Sequence, residues 1–201
     1  MSETAHDEIT RLAGSIRALE RELEVALAKR RVELNYKVHD GIVQFEEAVI
    51  RRHHELKTRL LGYVLGARPA MVLSAPAIYA LIVPLVLLDL FVAIYQSVCF
   101  PVYGIPRVRR RDYLAFDRGQ LAYLNALEKL NCAYCSYANG LLAHVREVAS
   151  RTEEYWCPIK HARRVLGLHA RYGRFVDYGD ADAYRRDLER LRAEARSAEP
   201  T

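Results

Sequence analysis

The sequence predicts a mostly α-helical, membrane-associated protein, with a Pro-broken apolar helical hairpin and a cytoplasmic helical domain. Three observations carry that expectation. Pro69 to Ile105 contains one charged residue, Asp89, in 37 positions, and about 20 apolar residues suffice to cross a bilayer as a helix. Outside that stretch, apolar residues recur at helical spacing between runs of charge. Three cysteines and a histidine then fall into paired, metal-ligand spacing in the C-terminal half.

Composition narrows the class. The chain has 201 residues, 30 Lys and Arg against 25 Asp and Glu, and a net charge of +5. Half of it is hydrophobic (51%) and 27% is charged, too apolar for a disordered chain. There is too little uninterrupted apolar sequence for the several spans of a transporter. Four cysteines are too sparse for a disulfide scaffold. The charged first 30 residues are unlike a cleavable signal peptide.

Three regions follow. Residues 1–68 form an N-terminal amphipathic helical region. Ile9, Leu12, Ile16, Leu19, Leu23 and Leu27 make one apolar stripe, which offers a surface for self-association. Val32, Leu34, Tyr36 and Val38 alternate with polar residues, as a short strand does. His39-Asp40-Gly41 reads as a turn, and a second helix is expected from about Ile42 to Leu65, ending near Gly66. His53, His54 and Glu55, with Glu46 and Glu47 nearby, are a weak metal candidate, because adjacent helical histidines point to different faces.

Residues 69–105 are the membrane-embedded region, either a re-entrant hairpin or a kinked span. As one helix they would be about 55 Å long, against a hydrocarbon core of about 30 Å. Pro84 lies near the middle and breaks or kinks a helix. Both flanks are basic: Arg51, Arg52, Lys57, Arg59 and Arg68 before, Arg107, Arg109, Arg110, Arg111 and Arg118 after. Basic flanks stay cytoplasmic, which favours the hairpin over the span. Asp89 is an ionisable group at membrane depth, with a task or with its carboxylate reaching the interface. Arg107, Arg109, Arg110 and Arg111 are expected at anionic headgroups.

Residues 106–201 are the cytoplasmic helical Cys/His domain. A helix is expected over 119–138, with Asn139-Gly140 as its stop and a further helix over 141–151. Pro158 suits the first turn of another helix. A charged helix ends the chain near Arg196. Cys132-x2-Cys135 and Cys157-x3-His161 together make a Cys3His set, which closes a tetrahedral zinc site. Each pair shares a helix face. Asn125, Glu128 and Asn139 fall on the same stripe as Cys132 and Cys135, where they would support the ligands. An iron–sulfur cluster on the same thiolates is the alternative. Cys99 is a fourth thiolate, a buried residue or an acylation site. Lys160, Arg163, Arg164, Arg171 and Arg174 make a basic surface better suited to headgroups than to nucleic acid, since no recognition motif accompanies it. No phosphate-binding glycine loop, G-x-S-x-G or HExxH is present.

Three blocks, FPVYGIPRVRRRDY, LAYLNALEKLNCAYCSYANGL and REVASRTEEYWCPIKHARR, together resemble a family of uncharacterised bacterial membrane proteins. The resemblance covers the middle third of the chain. It implies a bacterial source and membrane association, and carries no mechanism.

The functional expectation is a membrane-tethered, metal-binding protein, zinc-loaded, acting as an interaction platform on the cytoplasmic face of the bacterial inner membrane. Its partners would be anionic lipid and another membrane or cytoplasmic protein. An iron–sulfur electron-transfer or sensor module is the first alternative. A monotopic enzyme on a lipid or lipid-linked substrate is the second, with Glu128 or Asp89 as acid or base.

Overall fold

The computed structural model describes residues 2–34, 36–39, 42–163 and 165–197. The Asp40-Gly41 turn lies outside them. The protein is mostly helical, in two compact units: residues 1–62 with 117–129, and residues 63–116 with 130–201.

The first unit opens with α1 (Ser2–Glu33). Leu12, Ile16, Leu19, Leu23 and Leu27 are all exposed along it; Ile9 is outside the described side chains. Of the strand expected over 32–38, the second half is β1 (Tyr36–His39), while Val32 belongs to α1 and Leu34 to the turn after it. β1 pairs antiparallel with β2 (Ile42–Phe45), Tyr36 opposite Phe45 and Val38 opposite Val43. The long helix expected from Ile42 is therefore corrected. Its first residues are a strand, and α2 (Glu47–Glu55) and α3 (Leu60–Leu65) follow as separate pieces. Val43 and Phe45 suit a pleated, half-buried surface, and β2 pairs with β1 on one edge while Val43 N–H donates to Gln120 Oε1. Phe45, His53 and Tyr123 form a ladder of edge-to-face rings, 5.0 and 4.9 Å between centroids.

The second unit is built on α4 (Pro69–Ala80) and α5 (Ile82–Tyr103). They follow end to end as a 35-residue apolar helix, long enough to cross a membrane. The expected hairpin is not formed. Leu81, the one residue between them, has right-handed helical dihedrals (φ −63°, ψ −14°), which cannot reverse a chain. Pro84 is the cause of the interruption but not its position. It has no N–H, and its ring collides with the carbonyl four residues back, so the ladder lapses before it and resumes with Leu85 N–H donating to Leu81 O.

Gly104 (φ 72°) ends α5. Ile105 N–H donates to Phe100 O and Gly104 N–H to Pro101 O, the paired bonds of a Schellman stop. Phe100 and Ile105 pack into one core with Val108 and Val148. The chain then returns along α5: Val108 N–H donates to Gln96 Oε1 and Arg110 reaches Asp89.

α6 (Ala126–Trp156) is a single 31-residue helix, so the stop expected at Asn139-Gly140 is corrected. Gly140 instead lets the returning segment approach. A Cβ there would lie 2.5 Å from the Tyr113 carbonyl oxygen. α6 runs beside α4 and α5 in the same direction. Tyr134 donates to Ile78 O, Tyr137 to Asp89, Tyr95 pairs with Thr152, and Tyr155 stacks on Tyr103. No helix starts at Pro158; it follows the end of α6, where proline is common because it cannot continue a helix. Asp180 caps α7 (Ala181–Ser197) through Ala183 N–H, close to the expected C-terminal helix.

Candidate functional site

The four expected metal ligands do not meet. Cys132 and Cys135 lie in the first third of α6, while Cys157 follows its last residue. From Cys135 to Cys157 the helix spans about 33 Å at about 1.5 Å per residue, whereas ligands of one zinc ion each lie within about 2.3 Å of it. His161 sits beyond Cys157, its ring stacked on Tyr172. Among the described residues, no group of three or more His, Cys, Asp or Glu side chains could hold an ion. In this structure the two pairs therefore do not form the single Cys3His site that their spacing predicts. The paired spacing was real, but the loop expected to fold one pair onto the other is helix.

The supporting stripe has a local explanation. Asn125 Oδ1 accepts from Leu127 N–H and Glu128 N–H, both at 3.0 Å. Glu128 Oε2 accepts from Asn125 N–H at 2.8 Å. This is a capping box, and N-x-x-E before an apolar helix was its readable sign. Asn139 Nδ2 donates to Cys135 O within its own helix.

Asp89 has a defined role. Arg110 Nε and Nη2 donate to its two carboxylate oxygens at 3.1 and 2.6 Å, and Tyr137 O–H donates at 3.0 Å. The clamp joins α5, the returning segment and α6. His144 lies near it, buried at 3% exposure, its ring 5.7 Å from Tyr113. Burial holds its pKa below the ordinary histidine value, against the pull of Asp89. Of the expected headgroup arginines, Arg110 is thus spent on Asp89 and Arg107 donates to Ser97 O. Arg109 and Arg111 are exposed.

The basic surface expected around Lys160 is largely paired. Lys160 binds Asp177, Arg171 binds Glu147 and Glu154, and Arg174 binds Glu154. Arg163 is exposed, and Arg164 is outside the described residues. These arginines meet a buried network that sequence reasoning missed. Arg151 is 1% exposed, bonding Glu147 at 2.9 Å and the Pro106 carbonyl at 2.8 Å. Burial pushes the Glu147 carboxyl up, but Arg171 and Arg151 together outweigh it and hold it below the usual range. At Glu154 burial prevails over Arg174 and Arg171, and the carboxyl lies above its usual range. Only the Glu147, Arg151, Glu154 spacing along α6 hinted at this. In the first unit, His53 serves the ring ladder beside a cleft of about 330 Å³ that Arg118 also lines. His54 is exposed.

Among the described residues, the outer side of the long apolar helix packs on nothing, as does the α1 stripe. Val83, Val86, Leu87, Leu90, Phe91, Ile94, Val98 and Val102 are exposed in a continuous stripe. Leu85, Leu88, Asp89, Val92, Tyr95, Gln96 and Phe100 occupy the packed side. Fold and surface define a helical protein with, among the described residues, one helix long and apolar enough to cross a membrane. Comparison with family models, curated proteins and solved structures finds no match to this chain.

Proposed function

We propose that this chain is a membrane-tethered interaction platform whose apolar helix holds it at a bilayer and whose first helix offers a docking face. The observation that carries it is the exposed apolar stripe of α4 and α5. At about 25 cal/mol per Å², so long a bare face is a strong drive out of water, and large apolar patches mark interaction sites. Basic residues at both ends favour the cytoplasmic face, and the resemblance supports the bacterial inner membrane. The metal is not part of this reading, because its ligands lie apart.

For α1 the occupant proposed is a second copy of the chain, running antiparallel. Glu3, Asp7 and Glu8 lie at one end of the helix and Lys29, Arg30 and Arg31 at the other, so antiparallel pairing sets acid against base. Confinement to a membrane raises the effective concentration of a weak pair.

The test is fractionation of cells expressing the full chain. The protein is expected in membranes after an alkaline carbonate wash, and Leu90→Gln with Ile94→Gln should release it. A freely soluble wild type would end the reading. Cross-linking in those membranes should give dimers that Ile16→Asp with Leu23→Asp abolishes.

A further inference from the structure

Resting on the membrane reading above, we infer that the long helix lies in the plane of the bilayer surface, its bare face in the acyl chains and the arginines beside it at anionic headgroups. The packing of the second unit decides between this and a span. The helix keeps one side on protein from Ala75 to Tyr103. On a helical wheel, Asp89 lies near the edge of the packed side, about 60° from the bare stripe, and Ser97 lies within the stripe; Arg110 reaches the Asp89 carboxylate and Arg107 the Ser97 backbone carbonyl. The returning segment therefore runs along the edge of the packed side, next to the bare stripe, and carries Arg109 and Arg111 into solvent; the Arg111 side chain is 79% exposed.

A span has no acceptable register. Centred on the apolar stretch, it puts Asp89 about 5 Å from the bilayer midplane, and with it the exposed neighbours of Arg110. An arginine in hydrocarbon costs far more than one at headgroups. Shifted toward Pro69, the span leaves Leu90, Phe91, Ile94, Val98 and Val102 bare in water. The in-plane orientation meets both demands. A helix apolar on every side is then understandable: one side is core, the other meets lipid, and the protein itself supplies the polar face that interfacial helices usually carry. Both basic flanks also stay on one side, as the charge rule asks. At the C-terminal end, Tyr103, Tyr155 and Trp156 form an aromatic cluster with Arg196 over Tyr155, suited to the membrane–water interface.

The experiment has three arms on the full chain. In inverted inner-membrane vesicles, trypsin should cut the native protein both before Pro69 and at Arg107–Arg111 from the outside; protection of one flank overturns the inference. In a version whose four cysteines are serine, with helix content checked by circular dichroism, single labels at Leu87→Cys, Leu90→Cys and Val98→Cys should report one depth to brominated lipids. A steady gradient, about 1.5 Å per residue, also overturns it. Arg109→Gln with Arg111→Gln should weaken binding to phosphatidylglycerol-containing vesicles about fivefold per charge, and leave binding to pure phosphatidylcholine unchanged. Equal binding by wild type and variant to both vesicles overturns the headgroup assignment. A protein that floats with no vesicle sinks the membrane reading itself, a result distinct from a span.

Discussion

Gly140 shows how much one position can carry. A methyl group there meets the Tyr113 carbonyl and the Leu114 side chain, both held by the packed return of the chain. Gly140→Ala is expected to destabilise the protein by about 1–3 kcal/mol, read by chemical denaturation, even though alanine is the better helix former. A stabilised variant would mean that Gly140 serves only the helix. The cysteines make a second case. With about 33 Å of helix between the pairs, Cys157→Ser is expected to leave zinc titration of the Cys132–Cys135 pair unchanged. A tenfold or greater loss of affinity would restore the four-ligand site.

Among the elements, α6 owes its start to the Asn125–Glu128 box. Asn125→Ala should cost about 1 kcal/mol and speed amide exchange in the first turn without touching the centre of the helix. The join between α4 and α5 tests the account of Pro84. Pro84→Ala supplies an N–H opposite the Ala80 carbonyl, so the alanine amide should be as protected from exchange as its neighbours. Rapid exchange there would trace the break at Leu81 to tertiary packing instead. The join was half legible: proline predicted an interruption, while its outcome depended on whether two helices could each pack on themselves or on a third. Residues Ile78 and Tyr79 near the break contact α6, so the helix continues rather than folding back.

Across the second unit, the buried ionisable groups set the response to pH. His144 has a folded pKa below its unfolded value. Its contribution to stability is complete above about pH 6.5 and is lost as pH falls through that value, because the unfolded chain then binds the extra proton. Glu147, also depressed, loses its contribution at lower pH, on protonation. Glu154 is raised and acts the other way, its contribution present in acid and lost as pH rises through the folded pKa. His144 is therefore expected to weaken the unit as pH falls below about 6.5, and His144→Gln should remove that part of the slope in denaturation curves. An unchanged slope would assign it to another group.

Local chemistry was readable along the chain. The length and purity of residues 69–105, the amphipathic stripe of α1 and the charged C-terminal helix follow from composition and periodicity, which act within a turn or two of helix. The roles of Asn139-Gly140, the two cysteine pairs and Asp89 are not legible in the sequence, because each depends on partners far along the chain. Asn-Gly stops a helix when its glycine turns left-handed, but here Gly140 stays within α6 and faces Tyr113 of the returning segment. The intact helix is what parts the cysteines. Asp89 finds Arg110 because Gly104 turns the chain back along α5. Packing thus fixed which side of the apolar helix is covered, a fact that no residue of the stretch carries alone, since both of its sides are apolar.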